Sequence, residues 1–243
     1  MRKNLLIIIP ARAGSKRVKN KNLKKINARN DTLLGLKIKS CLHARIGDVL
    51  VSTDSSRIAK YAKKMGAIVP FLRSKIYASD KASTFSVILD TLRQLKERNK
   101  TIPDYIAVLP PTNPFLSYKS IINAFEYLKK NKLYNSILTY QVSNDHPFNF
   151  IKLKKNKKIS FDLIKYEGKK YSQFERTQDW PKAFMSSAAI KISKKSFFLK
   201  KIKEKNPLIQ DKTFDMNSCL GYLISKKEAF DINFPDDFKE FKK

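Results

Sequence analysis

Histidine, cysteine and tryptophan are nearly missing from this chain: two His, two Cys and one Trp occur in 243 residues, and only 21 carboxylates face 51 basic side chains, for a formal net charge of +30. Cys41 and Cys219 are too isolated to make a metal-ligand spacing or a disulfide framework, which fits a reducing cytoplasm. No apolar run approaches the length of a membrane span. Leu5 to Ile9 is cut off by Pro10 and Arg12, too short even for a signal-peptide core, so the protein is expected to be soluble and cytoplasmic, with no membrane partner. Two familiar phosphate signatures are also missing: neither a Gly-Lys-Ser/Thr loop nor a G-x-G-x-x-G turn follows the first apolar run. The charge alone would suggest nucleic acid. Its distribution argues otherwise, because Arg supplies only 10 of the 51 basic residues and the Lys excess is spread over almost every segment. Readers of nucleic acid concentrate Arg and aromatics on one face, so no specific nucleic-acid partner is expected.

What is present is most informative at the amino end. Ile7-Ile8-Ile9-Pro10-Ala11 opens into a loop that places Arg12, Lys16, Arg17, Lys19 and Lys21 around Gly14 and Ser15, ten residues without a carboxylate. Glycine can take backbone angles closed to other residues and turn peptide N–H groups toward an anion. Ser15 adds a hydroxyl donor, and the cations add charge, so the loop suits a polyphosphate. A basic surface loop after a first strand is the plainer alternative.

Short apolar runs alternate with helical spacing through the first 140 residues. Leu5 to Ile9, Val49 to Ser52, Ala67 to Phe71, Tyr105 to Leu109 and Ser136 to Tyr140 read as strands covered on both faces, hence a mainly parallel sheet. Helices are predicted over Leu33 to Leu42, Ser55 to Met65, Thr84 to Leu95 and Ser117 to Lys130, with N-cap types at Ser55, Ser83 and Ser117. The result is a three-layer α/β domain with right-handed crossovers. Residues 141–185, with the charge run Lys152 to Lys158, break the alternation and read as an inserted arm, a hairpin excursion within a single domain spanning 1–243. Ser187 to Ser193 and Leu220 to Ile224 return to strand character, with Lys194 to Ile202 helical between them.

The order of motifs then carries a resemblance. I-P-A-R-x-G-S-K-R and Lys21-Asn22-Leu23 are followed by Val51-Ser52-Thr53-Asp54, Pro70-Phe71-Leu72-Arg73 and Ala78-Ser79-Asp80-Lys81-Ala82-Ser83-Thr84. Later come Leu109-Pro110-Pro111-Thr112-Asn113-Pro114, Arg176-Thr177-Gln178-Asp179-Trp180-Pro181 and Phe230-Asp231-Ile232-Asn233. The chain resembles the acylneuraminate cytidylyltransferase family, which makes CMP-sialic acid and related CMP-nonulosonic acids, from about Leu5 to Phe241. The resemblance implies a Rossmann-like nucleotidyltransferase fold, Mg²⁺ as cofactor, and a homodimer in which an arm reaches over the partner's site. It also implies that CTP and a sugar acid are the substrates, with the product serving cell-surface polysaccharide biosynthesis. By resemblance, Ala11, Arg12, Gly14, Ser15, Lys16 and Lys21 hold the triphosphate and Asn22 lies near the nucleoside. Arg73, Asp80 and Thr84 fall at the cytosine pocket, Arg176, Gln178 and Asp179 at the sugar, and Asp231 with Asn233 at the metal. Arg12, Lys21 and Asp231 are the catalytic candidates, and no protein general base is assigned.

Read without the family, Arg73 also suits stacking on a helix, Asp80 suits capping the next one, and Asp54 suits either the metal or the cap of the helix after it. His146 reads as structural and His43 as a surface residue, and Trp180 either packs the arm or lines the sugar pocket. The chain departs from the family's D-x-D pair at Asn233, from its L-Q-P-T-S-P-L-R segment at Pro110 and Leu116, and from its second arginine at Thr177. Its N-G-A-I-Y strand reads Ser187-Ala188-Ala189-Ile190-Lys191. Departures on the sugar side point to a pseudaminic- or legionaminic-type acid rather than ordinary sialic acid. A CMP-Kdo-type synthetase and a non-catalytic nucleotide-binding relative are the alternative readings.

Overall fold

The apolar run at the amino end becomes strand β1, Leu5–Pro10, near the middle of a six-stranded sheet. Its side chains alternate between two cores, Leu5, Ile7 and Ile9 on one face and Leu6 and Ile8 on the other, which is why the run shows no polar position. The computed structural model describes residues 4–26, 31–150, 152–153, 159–160, 165–203, 205–206, 209 and 211–241. The expected charge run at 152–158 falls mostly outside the described residues.

The other strands are β2 (Asp48–Ser52), β3 (Tyr105–Val108), β4 (Ser136–Val142), β5 (Lys152–Leu153), β6 (Ile159–Ser160), β7 (Phe184–Lys194) and β8 (Cys219–Leu223). Helices are α1 (Leu33–Ala44), α2 (Ser56–Lys64), α3 (Lys75–Ala78), α4 (Thr84–Glu97), α5 (Tyr118–Lys130), α6 (Lys195–Leu199) and α7 (Lys226–Ala229). The main sheet runs β2-β1-β3-β7-β4-β8. α1, α2, α5 and α7 supply the first core through Leu34, Ile38, Ile58, Ile121, Phe125 and Ala229, while α4 and α6 supply the second through Phe85, Ile88, Leu92 and Phe198. No helix among the described residues is long and apolar enough to cross a membrane.

The main sheet is mainly parallel, as expected, with β7 alone reversed between β3 and β4. Two expectations need correction. Ala67 to Phe71 does not form a strand; it makes a single bridge, Leu50 to Ile68, and Pro70 lacks the N–H needed to extend the ladder. The helix expected to reach Ile202 ends at Leu199.

In the arm, β5 and β6 pair with each other apart from the main sheet. An aromatic cluster anchors its base: the His146 ring lies 4.5 Å from Phe148, 4.8 Å from Trp180 and 5.2 Å from Tyr166. Phe148 N–H donates to His146 Nδ1, and Nε2 meets the Pro181 carbonyl at 2.8 Å, so His146 is structural, as expected, and Trp180 packs the arm.

Ser55, Ser83 and Ser117 all cap their helices, accepting from Ile58, Ser86 and Ser120 N–H groups. Ser83 matters most, since it starts α4 and also donates to the Ile209 carbonyl. Ser83→Ala is expected to destabilise the protein by about 1–2 kcal/mol, measured as a lower midpoint in urea. A midpoint unchanged from wild type would mean that the cap bond contributes nothing net.

Candidate active site

β1, β2 and β3 deliver their C-terminal ends to one side of the sheet, the place where α/β folds gather ligand contacts. A cavity of about 330 Å³ opens there, lined by Arg12, Ser15, Lys21 and Asn22 from the loop after β1, by Arg73, Asp80 and Thr84, and by Pro110, Pro111 and Thr112 after β3. Two shallower grooves, beside β8 and beneath α4, are larger at about 390 and 440 Å³, but neither contains a residue singled out above.

The loop after β1 is held from several directions. Ala11 N–H donates to the Ser52 carbonyl, Ala13 N–H to Asp54 Oδ1 at 2.9 Å, and the amide of buried Asn22 to the Arg12 carbonyl at 2.9 Å. Asp54 therefore serves the loop, while Ser55 caps α2. Asn20 takes a left-handed φ of 54° where the chain turns into the short helix at Lys21–Leu23. Gly14 does not: its φ lies outside the left-handed region, and a Cβ built there would meet nothing within 4 Å. Its value is the bare backbone and open space it presents, a correction to the expected reason for the glycine. Ala11, Gly14 and Lys16 lie on this loop without lining the cavity.

The loop cations are already engaged. Arg12 makes an ion pair with Asp80 at 2.7 Å and donates to the Ala78 carbonyl, and Lys16 reaches the same carboxylate at 2.7 Å. Asp80 is exposed, and the hydrogen bond from Lys16, together with Arg12, holds its carboxyl below the usual carboxylate range. It caps no helix. Any anion entering the cavity would compete with this carboxylate for the same two cations.

Arg73 is buried at the end of β2 rather than stacked on a helix. Its Nε donates to Ser52 Oγ at 3.2 Å and a terminal nitrogen donates to the Ser52 carbonyl, while Thr91 Oγ1 donates to Ser52 Oγ from α4. Burial pushes its pKa down to about 10, opposed by nearby Asp54, so it remains a guanidinium at neutral pH on the cavity wall.

The 231–233 segment joins the site through Lys21, whose ammonium donates to the Ile232 carbonyl. Burial lowers the Lys21 pKa, and the Asp231 carboxylate opposes that shift. Asn233 Nδ2 donates to Asp231 Oδ2 at 3.0 Å, and its Oδ1 accepts from Arg17 at 3.4 Å. Asp237 is committed to the Asn233 and Phe234 N–H groups. Arg176, Gln178 and Asp179 do not reach this cavity; they sit exposed on the arm, where Arg176 pairs with Asp179 at 3.1 Å.

Sequence reasoning missed two residues behind the site. Lys37 on α1 is fully buried and donates to the Asn113 carbonyl at 2.9 Å, and Asn113 is itself fully buried. The signal for Lys37 was its place on the apolar stripe between Leu34 and Cys41, where a lysine is out of pattern.

The family profile described as Cytidylyltransferase matches residues 6–215. The post-translational flagellin modification protein B of Campylobacter coli is 32% identical over 97% of this chain and 92% of its own length. The CMP-N,N'-diacetyllegionaminic acid synthase of Campylobacter jejuni is 30% identical over the same shares of the two chains. Among solved structures, a CMP:2-keto-3-deoxy-manno-octonic acid synthetase complexed with CTP superposes with a TM-score of 0.69, covering 97% of this chain and 95% of that one at 12% identity, a likeness of fold.

Proposed function

This chain belongs to the cytidylyltransferase family, and from that premise we propose that it joins CTP to a nonulosonic sugar acid, releasing pyrophosphate and the CMP-sugar. The observation that carries the reading is the convergence of Arg12, Lys21 and Arg73 on one cavity at the C-terminal ends of the parallel strands. Triphosphate and sugar acid are both anions, so their approach requires fixed positive charge, and the net charge of +30 also attracts both to the protein.

In this mechanism the anomeric hydroxyl of the sugar attacks the α-phosphorus in line with the leaving group. The new bond is sugar oxygen to phosphorus, the bond between the α-phosphorus and its bridging oxygen breaks, pyrophosphate departs with the electron pair, and the hydroxyl proton passes to solvent. Arg12, Lys16 and Lys21 take over the charge spread on the phosphate oxygens, with Ser15 and the open backbone at Gly14 as further donors. Arg73, braced on Ser52, and the 80–84 segment form the wall where a cytosine carbonyl and amino group find a donor and acceptors.

The oxygen donors near the loop fit Mg²⁺, a hard ion that needs only one or two protein ligands beside phosphate. Asp231 would hold it, and Asn233 would add its amide oxygen, which already accepts from Arg17 and has a second lone pair. Bound magnesium supplies charge neutralisation at the phosphate oxygens. Among the described residues no three His, Cys, Asp or Glu side chains cluster to hold a metal alone.

The relatives in the two Campylobacter species and the altered sugar-side residues favour a legionaminic- or pseudaminic-type acid. Arg176, Gln178 and Asp179, displayed on the arm and away from their own cavity, suit a cytoplasmic homodimer in which they meet the partner's sugar. The test is pyrophosphate release from CTP and Mg²⁺ with a panel of nonulosonic acids and Kdo. Turnover with a nonulosonic acid is expected. Turnover with Kdo alone would move the protein to the eight-carbon class, and CTP binding without turnover would leave a nucleotide-binding relative.

A further inference from the structure

Asp231 is clamped from both sides by one turn. The Asn113 side-chain amide donates to the carbonyls of Ala229 and Phe230, each at 3.1 Å, just before Asp231. Just after it, Ile232 N–H donates to the Thr112 carbonyl at 2.8 Å. Thr112 itself lines the cavity. The turn at 112–113 therefore fixes where the Asp231 backbone sits relative to the loop that carries Lys21.

That turn rests on Lys37. The side chain is 1% exposed, and its ammonium donates to the Asn113 carbonyl at 2.9 Å. No carboxylate pairs with it in direct contact among the ion pairs of the described residues, and burial pushes its pKa down to about 8, opposed by Cys41 and Asp231. A lysine in such a place costs stability, since a desolvated ammonium with one carbonyl partner recovers less than an apolar side chain of similar volume would. Burial of this kind beside a site is more readily understood as serving the site than as serving the core.

We propose that Lys37 is a positioning residue for Asp231, acting through Asn113: it holds the 112–113 turn from beneath, and the turn holds both flanks of the carboxylate. This rests on the reading of the cavity as a nucleotidyl-transfer site. Lys37 touches no substrate, so its effect is on placement, and a misplacement of about 1 Å can cost on the order of a hundredfold in rate.

Lys37→Met removes the donor and keeps the volume. The expected result is a kcat lower by about tenfold or more, with CTP affinity by calorimetry within about twofold of wild type. The melting midpoint should be unchanged or higher, because the cost of burying the ammonium is gone. A role in the core alone predicts the opposite pattern, a lower midpoint with kcat intact, and that outcome overturns the proposal. Asn113→Ala breaks the next link while leaving the Lys37 bond to the backbone, and should show the same kcat loss with CTP affinity preserved; it decides the matter if Lys37→Met does not fold. A crystal structure of the variant supplies a readout independent of turnover: a displaced Asp231 supports the proposal and an unmoved one refutes it. Lack of turnover in wild-type protein would sink the proposed reaction, while the position of Asp231 in the variant would still judge Lys37.

Discussion

Lys21→Ala is expected to lower kcat/KM for CTP by about 10²- to 10³-fold, the loss typical of removing one donor aimed at developing charge. The residue combines two tasks. Its ammonium lines the cavity, half withdrawn from water, and it grips the Ile232 carbonyl from the opposite end of the chain. Truncation therefore removes a cation from the proposed phosphate site and loosens the segment that carries Asp231. Lys19→Ala is the control: it lies in the same loop but is exposed, and it should change kcat/KM by no more than about twofold, as expected for solvated surface charge. Steady-state pyrophosphate release measures both. Equal losses in the two variants would reduce Lys21 to a contributor of general positive charge and remove its assigned role.

Asp231→Ala is expected to separate binding from turnover. The carboxylate lies within electrostatic reach of Lys21, Lys37 and Lys191, and it counters the desolvation that lowers the pKa of each. Removing it leaves these cations less neutralised, so CTP binding without magnesium should hold steady or tighten. Turnover with magnesium should fall by about 10²-fold or more, because charge stabilisation worth several kcal/mol is lost with the proposed metal ligand. Calorimetry with and without Mg²⁺, beside kcat, checks the split. A normal kcat would dismiss Asp231 as the metal residue. Asn233→Asp is the complementary change: a second carboxylate should lower the magnesium concentration needed for half-maximal rate. Should wild type bind CTP without turnover and this variant gain nothing, the non-catalytic reading would win.

The readings that succeeded were those in which neighbouring residues determine the outcome. Strand β1 was legible because a strand buried on both faces must be apolar at every position, and the three serine caps because each accepts from an N–H three residues on. The basic loop after β1 was legible for the same reason, its charges being crowded into ten residues. Pairings across the fold escaped. Nothing local to β7 announces that it inserts antiparallel between β3 and β4, and nothing near Asp80 shows that it binds Arg12 and Lys16. Arg73 was placed at the site, but its brace on Ser52 was not foreseen, because a buried guanidinium finds its carbonyl only once β2 and α4 have packed.

By itself the sequence determined the α/β class and the basic, carboxylate-free character of the first loop, since apolar period, capping and charge density are properties of short stretches of chain, and the order of its motifs determined the family. Only the tertiary structure decided how Asp231 is held. Lys37 meets Asn113 across 76 residues, Asn113 meets the Asp231 flank across 116, and Lys21 meets it across 211. Contacts that distant are set by which helix lies over which strand end, and they exist only after the sheet has been assembled.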